Sequence, residues 1–210
     1  MIFWHLITSI GNVIITIPIT LTIAIWIIVG GDWKMSVLWC SLFAFAMTLV
    51  LITKIAFIGW GIGIESLNFT GFSGHATRAA MVFPVLFYYG LQRAPRKINS
   101  PALYLGVLIG LVISVSRVVV HAHSVSEALA GWLLGSAMAM IYLSSMQDHV
   151  ILTSRRWLVA CSFLLLFASP AVRPVQPEGV IVKVALYLSG HDRPFERRDW
   201  LRAAKVAHYS

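Results

Sequence analysis

An all-α, polytopic membrane bundle of about six spanning helices is the fold class this sequence predicts. Three observations carry that expectation. The chain of 210 residues is 59% hydrophobic and 11% charged, whereas a soluble domain is about 45–50% apolar and about 25% charged. Its mean hydropathy is +0.83. Its apolar residues fall in runs long enough to cross a bilayer, which takes about 20 residues of helix.

The first span covers residues 4–29. Pro18 lies inside it and is expected to kink it, because proline removes a backbone donor and crowds the preceding turn. The run has no basic n-region and no small-residue cleavage site, so it is expected to remain as a helix. A turn at 30–34 leads to the second span, 35–58, whose one charge, Lys54, sits near its end. A glycine-rich polar link follows at 59–74, then the third span at 75–91. The basic loop 92–101 carries Arg93, Arg96 and Lys97 and precedes the fourth span, 102–120. The fifth span is 125–144, and the polar loop 145–156 ends in Arg155-Arg156. A sixth apolar run, 157–172, is short but able to cross.

Residues 1–172 therefore read as one membrane domain and 173–210 as a polar C-terminal tail. Within the tail, residues 179–188 are apolar apart from Lys183, too short to cross and suited to the interface. Gly106/Gly110 and Gly131/Gly135 have the spacing that lets helices approach closely. Cys40 and Cys161 lie inside apolar runs without metal-ligand spacing and read as packing residues.

The net charge of +8 would suggest nucleic acid in a soluble protein. Here it reads as loops facing anionic lipid, so the expected partner is the bilayer and not nucleic acid. The loops 92–101 and 145–156 share a side and carry a basic excess, which places them in the cytoplasm. The link 59–74 and the stretch 116–127 then meet on the opposite face.

That second stretch, Ser116 to Glu127, crowds Arg117, His121, His123 and Glu127 between two apolar runs. Ionisable groups near hydrocarbon are costly and mark a functional site by default. Glu127 follows His123 by four residues, so its carboxylate can reach one imidazole nitrogen, fix the tautomer and leave the other free to attack. Ser124-Val125-Ser126-Glu127 also fits a capping box, which draws on the same carboxylate. His121 and His123 without partner cysteines make a poor metal set, and no metal is expected. In the link, Gly71 to Arg78 reads as a tight turn opening a helix, with Ser73 as N-cap. Its free N–H groups suit an oxyanion, with His75 in the first turn and Arg78 three residues on, over the same face. A capped helix start with an incidental histidine is the alternative.

Together these clusters resemble the type 2 phosphatidic acid phosphatase (PAP2) superfamily of membrane phosphatases, over about residues 50–140. Ser73-Gly74-His75 matches the core of the family's Pro-Ser-Gly-His motif. Ser116-Arg117, five residues, His123, three residues and Glu127 match its Ser-Arg, His, Asp motif in spacing, with glutamate for aspartate. Ala130-Gly131-Trp132 continues in the family's manner, and Lys54 is the candidate lysine of the first motif. That motif's Arg-Pro should fall near Gly61-Ile62 and is absent, and Phe72 stands where the proline precedes Ser-Gly-His.

The resemblance implies a PAP2-like helical core. It implies His123 as nucleophile forming a phosphohistidine, His75 as general acid, and Glu127 orienting His123. Lys54, Arg117, Ser73 and the Gly74 N–H would hold the phosphoryl oxygens, with Ser116 in the same substrate-binding motif and Arg78 replacing the missing arginine. Glu65 in the link would repel phosphate unless it points away. No metal and no cofactor are implied. The implied substrate is a lipid phosphate or diphosphate, such as undecaprenyl diphosphate, phosphatidic acid, phosphatidylglycerol phosphate or a lipid A phosphate. The implied location is a bacterial inner membrane, crossed several times, with the site on the periplasmic or outer face. Alternatives are a lipid phosphotransferase and, given the missing arginine, a non-catalytic protein that binds a lipid phosphate. A transporter with histidine relays fits less well, since intramembrane acids and a repeat are missing. Oligomeric state and the tail's position are not legible in the sequence.

Overall fold

The computed structural model describes residues 1–91, 101–146 and 177–200. Among them the α-helices are α1 (Ile2–Ile10), α2 (Val13–Val29), α3 (Trp33–Trp60), α4 (Gly74–Leu91), α5 (Pro101–Val119), α6 (Val125–Ser145) and α7 (Pro177–Ser189). A short 3-10 helix, Glu65–Leu67, lies in the link. No strand occurs among the described residues beyond an isolated bridge between Ile64 and Phe69. Among the described residues three stretches are long and apolar enough to cross a membrane: Ile2–Val29, Trp33–Trp60 and Val125–Ser145, with Leu103–Val119 a shorter apolar helix. The sixth expected run, 157–172, lies outside the described residues, as does most of both basic loops.

The first expected span is broken, and not where proline suggested. α1 ends at Ile10 and α2 starts at Val13, while Pro18 lies inside α2. The break has a local cause. The Asn12 side chain accepts the Ile14 N–H at 3.3 Å and caps α2, satisfying one of the donors a helix start leaves free. The Thr16 hydroxyl donates back to the Asn12 carbonyl at 2.9 Å.

α4 is the centre of the bundle. From Ala76 to Val85 every residue except Arg78 is buried. That explains why α4 reads as less apolar than its neighbours: it faces protein on all sides. Glycines let two helices close on it. A Cβ on Gly106 would lie 2.4 Å from the Pro84 Cα, and one on Gly110 would lie 2.8 Å from the Ala80 Cα. Those on Gly131 and Gly135 would lie 2.7 Å from the Ser73 carbonyl and 2.2 Å from the Thr77 carbonyl. Both Gly-x-x-x-Gly pairs thus serve close helix approach, as their spacing predicts. The outer surface is apolar too: Leu21, Ile25, Phe45, Ile52, Leu108 and Leu133 are exposed. An apolar exterior around an apolar interior fits a bilayer rather than water.

The chain reversals gather one set of helix ends. The C-termini of α3 and α5 and the N-termini of α4 and α6 meet through the link. The Phe72 N–H donates to the Thr53 hydroxyl at 3.2 Å, and the Ser73 N–H to the Glu127 carbonyl at 3.2 Å. The apolar tail stretch 179–188, expected at the interface, forms α7 and packs on the end of α3. A Cβ on Gly59 would lie 3.3 Å from the Ala185 carbonyl and from the Ser189 side chain. Val180, Val184, Tyr187 and Leu188 remain exposed.

Replacing Gly135 by alanine is expected to push α6 off α4, because backbone and not a flexible side chain stands in the way. Overpacking of this kind costs about 1–3 kcal/mol. Thermal unfolding in detergent should show a clear drop for Gly135→Ala and none for Gly179→Ala, where a Cβ meets nothing within 4 Å.

Candidate active site

The site is built around the Glu127 carboxylate, which is fully buried in the first turn of α6. Its Oε2 accepts from His123 Nδ1 at 2.8 Å, from the Ser124 N–H at 3.1 Å and from an Arg197 guanidinium nitrogen at 2.6 Å. Its Oε1 accepts the Thr70 N–H at 2.8 Å and the Thr70 hydroxyl. The two roles set against each other from sequence are made together. The Ser124 hydroxyl accepts the Glu127 N–H at 3.3 Å, completing the capping box, while the same carboxylate holds His123. A carboxylate can only accept, so the proton on this edge of the imidazole sits on Nδ1.

His123 follows a turn that α5 cannot continue through. The His123 N–H returns to the Arg117 carbonyl at 3.2 Å, and His121 adopts φ of 57°, the left-handed region, at this helix end. His121 is exposed. Among the described residues no three His, Cys, Asp or Glu side chains gather into a metal-binding group. Burial pushes the His123 pKa below the ordinary histidine value, and the hydrogen bond it donates to the Glu127 carboxylate acts in the opposite direction. Below the ordinary value the unfolded chain takes up a proton here before the folded chain does. Stability from this group is therefore lost as pH falls through the folded pKa.

The link brings the first cluster alongside. Gly71, with φ of 145°, lets the chain pass close to α3: a Cβ there would lie 3.1 Å from the Thr53 hydroxyl. The Phe72 N–H that donates to Thr53 is a bond proline cannot make, so this departure from the family motif carries its own tether. Ser73 stands just before α4, but its hydroxyl does not cap the helix. That oxygen is buried and has no partner among the described residues, while the Ser73 carbonyl accepts the Thr77 N–H and hydroxyl. Gly74 and His75 open α4.

The two arginines are held by the N-terminal helices, which sequence reasoning did not connect to the site. Arg78 Nε donates to the Thr16 hydroxyl at 3.1 Å, and its NH2 group to the Gly11 carbonyl at 3.4 Å. Arg117 donates to the Thr8 hydroxyl at 2.9 Å, and its Nε is buried without a partner among the described residues. The break between α1 and α2 thus meets Arg78, and the last turn of α1 meets Arg117. His75 lies within electrostatic range of Arg117, Arg78, His123 and Lys54. Ser116 is buried, and its hydroxyl donates to the Ile113 carbonyl at 2.5 Å, inside its own helix. Glu65 is exposed in the link and away from the cavity.

A cavity of about 270 Å³ opens beside His123. Lys54, Thr70, His123, Glu178 and Arg197 give it polar groups, and Phe57, Ile58, Ala122, Ile181 and Val182 an apolar wall. Thr70 and the tail residues were not singled out from sequence. Threonine is common in membrane helices and links, and Arg197 lies 70 positions from the glutamate it meets, so no local pattern signals either.

Residues 61–151 match the PAP2 superfamily, a span that holds both histidine clusters and Glu127. An uncharacterized 22.5 kDa protein in a cps region of Klebsiella pneumoniae is 30% identical over 204 residues, covering 93% of this chain and 96% of that protein. The chain belongs to the PAP2 superfamily. Members of the PAP2 superfamily are phosphatases. No solved structure matches the chain significantly.

In this PAP2 protein, Glu127→Gln should lower the His123 pKa further, because the bond that favours the imidazolium is weakened. Titrating the imidazole signals by NMR in detergent checks this. An unmoved His123 pKa would mean that the Nδ1–carboxylate bond is not made in solution.

Proposed function

We propose that this chain is an integral membrane phosphatase that hydrolyses a lipid phosphate or diphosphate through a phosphohistidine intermediate. The observation that carries the reading is the His123 Nδ1 bond to a buried carboxylate beside a cavity shared with Lys54. With Nδ1 protonated and held, Nε2 keeps the lone pair for attack on phosphorus. The phosphorus bond to the lipid oxygen breaks as the His123 bond forms, and His75 gives the leaving oxygen its proton. His75 then takes a proton from water as that water attacks phosphorus, which releases phosphate and restores His123.

Phosphoryl transfer depends mostly on positioning and charge stabilisation. Lys54, Arg117, Arg78, the Ser73 hydroxyl and the Gly74 N–H are the proposed ligands of the phosphoryl oxygens. Ser73 Oγ and Arg117 Nε are buried donors without protein partners among the described residues, and phosphoryl oxygens accept from both. Ser116 serves by holding the end of α5. The apolar wall of Phe57, Ile58, Ile181 and Val182 suits the first carbons of a lipid chain. Six crossings of a bacterial inner membrane, with the site on the outer face, complete the proposal. The apolar helices and the basic loops support it.

The test is phosphate release by the purified protein in detergent, from a panel of lipid monophosphates and diphosphates with chelator present. Wild type should release phosphate, vanadate should inhibit, and His123→Ala should lose about a thousandfold or more while folding normally. Full activity in His123→Ala would overturn the nucleophile assignment. Phosphate bound but never released from any lipid would favour a non-catalytic binding protein, the reading to which the missing Arg-Pro points.

A further inference from the structure

We propose that Arg197, delivered by the C-terminal tail, is a phosphate-binding residue: one arm of its guanidinium braces Glu127 while another grips a phosphoryl oxygen. This rests on the phosphate reading of the cavity given above. Arg197 lines that cavity with Lys54, Thr70, His123 and Glu178; among the described residues the guanidinium pairs with Glu127 and not with Glu178. Its NH2 group and His123 Nδ1 meet the same carboxylate oxygen, so the guanidinium lies no more than two hydrogen-bond lengths from the imidazole.

The carboxylate cannot use the rest of that guanidinium. Its two oxygens already accept from His123, the Ser124 N–H, the Thr70 N–H and the Thr70 hydroxyl besides Arg197. A carboxylate offers about four lone-pair sites and is filled by these donors, whereas a guanidinium carries about five N–H donors in a planar fork. Beside the cavity, the remaining donors suit an acceptor-rich anion such as a phosphoryl group.

The placement of Arg197 is built into the fold. His191 Nδ1 meets the Gly59 carbonyl at 2.7 Å, and the Phe195 N–H donates to the Ile58 carbonyl at 2.9 Å. The Trp200 ring packs edge-on against Phe57 at 5.0 Å between centroids. The Phe195 ring fills the space over Gly61, where a Cβ would lie 2.8 Å from it. Gly61 has φ of 71° and closes the end of α3, a conformation that favours glycine. The chain therefore has no side chain at 61 and places a tail ring there, two residues before Arg197.

Equilibrium binding of inorganic phosphate to the full-length protein in detergent tests this, with wild type, Arg197→Ala, Arg197→Lys and Arg198→Ala side by side. Arg197→Ala should bind phosphate about tenfold more weakly or worse, the usual cost of losing a hydrogen bond to a charged group. Arg197→Lys keeps a charge for Glu127 but loses the fork; it should retain the wild-type melting temperature and still bind several-fold more weakly. Arg198→Ala, a change at an exposed neighbour paired with Glu196, should match wild type. The proposal is overturned if wild type binds no phosphate, if Arg197→Ala binds as wild type does, or if Arg197→Lys restores binding fully, which would leave only the bracing role. Hydrolysis is read separately. Phosphate held through Arg197 without turnover of any lipid would sustain this inference and overturn the hydrolytic reading. Turnover with unchanged phosphate binding in Arg197→Ala would do the reverse.

Discussion

The buried charge of Glu127 is the constraint on which the rest of the site depends. An ionised carboxylate taken out of water is tolerated only when its lone pairs are met by donors and its charge by a cation. Here the donors come from three separate places: Thr70 in the link, His123 and Ser124 in the turn before α6, and Arg197 in the tail. The same residue's backbone carbonyl receives the Ser73 N–H. One residue therefore fixes the start of α4, the start of α6 and the returning tail relative to one another. Glutamate suits this better than the family's aspartate, because a capping box at this position needs a side chain long enough to reach back to the N-cap N–H.

Those contacts hold only if the helices themselves stand at the right spacing. α4 opens on Gly74 and His75 directly after Ser73, and glycines on α5 and α6 set how close its neighbours come. Interiors are close-packed, so a shift of one helix is passed on to the next. Gly131 meets the Ser73 carbonyl beside the candidate site, whereas Gly106 and Gly110 meet α4 at Pro84 and Ala80, farther along it. Packing far from His123 and geometry at His123 are in this sense one property.

Much of this was legible in the sequence because it follows from short-range rules. Apolar runs marked the second to fifth spans to within two residues, while the first is two helices and the sixth lies outside the described residues; the four-residue spacing of His123 and Glu127 marked their contact. The helix break at Gly11–Asn12 was missed in favour of Pro18. A proline is a visible breaker, whereas the capping power of one asparagine depends on where the chain turns. The partners of Arg78 and Arg117 were missed for a different reason. Thr8 and Thr16 form no pattern with arginines that lie far along the chain, and only the packing of α1 and α2 beside α4 and α5 brings them together. Arg197 was hidden likewise, in a polar tail whose position is not legible in the sequence.

The way the cations are held bears on what the site can take. Arg78 and Arg117 are fixed by hydroxyls and a carbonyl, groups that orient a guanidinium without cancelling its charge. Arg197 meets Glu127, but that carboxylate is shared with His123 and filled by other donors. Lys54 stands at the same cavity, within electrostatic range of the Glu178 carboxylate first and then of Arg78 and Arg117. Like charges brought together in a partly buried space repel, and the repulsion grows as water is excluded. Glu178 offsets part of that repulsion at Lys54 and Arg117, and an anion placed between the cations relieves more of it. On the proposed reading that anion is the phosphoryl group, and the relief is greatest when its charge is spread over all of its oxygens, as in the transfer step itself.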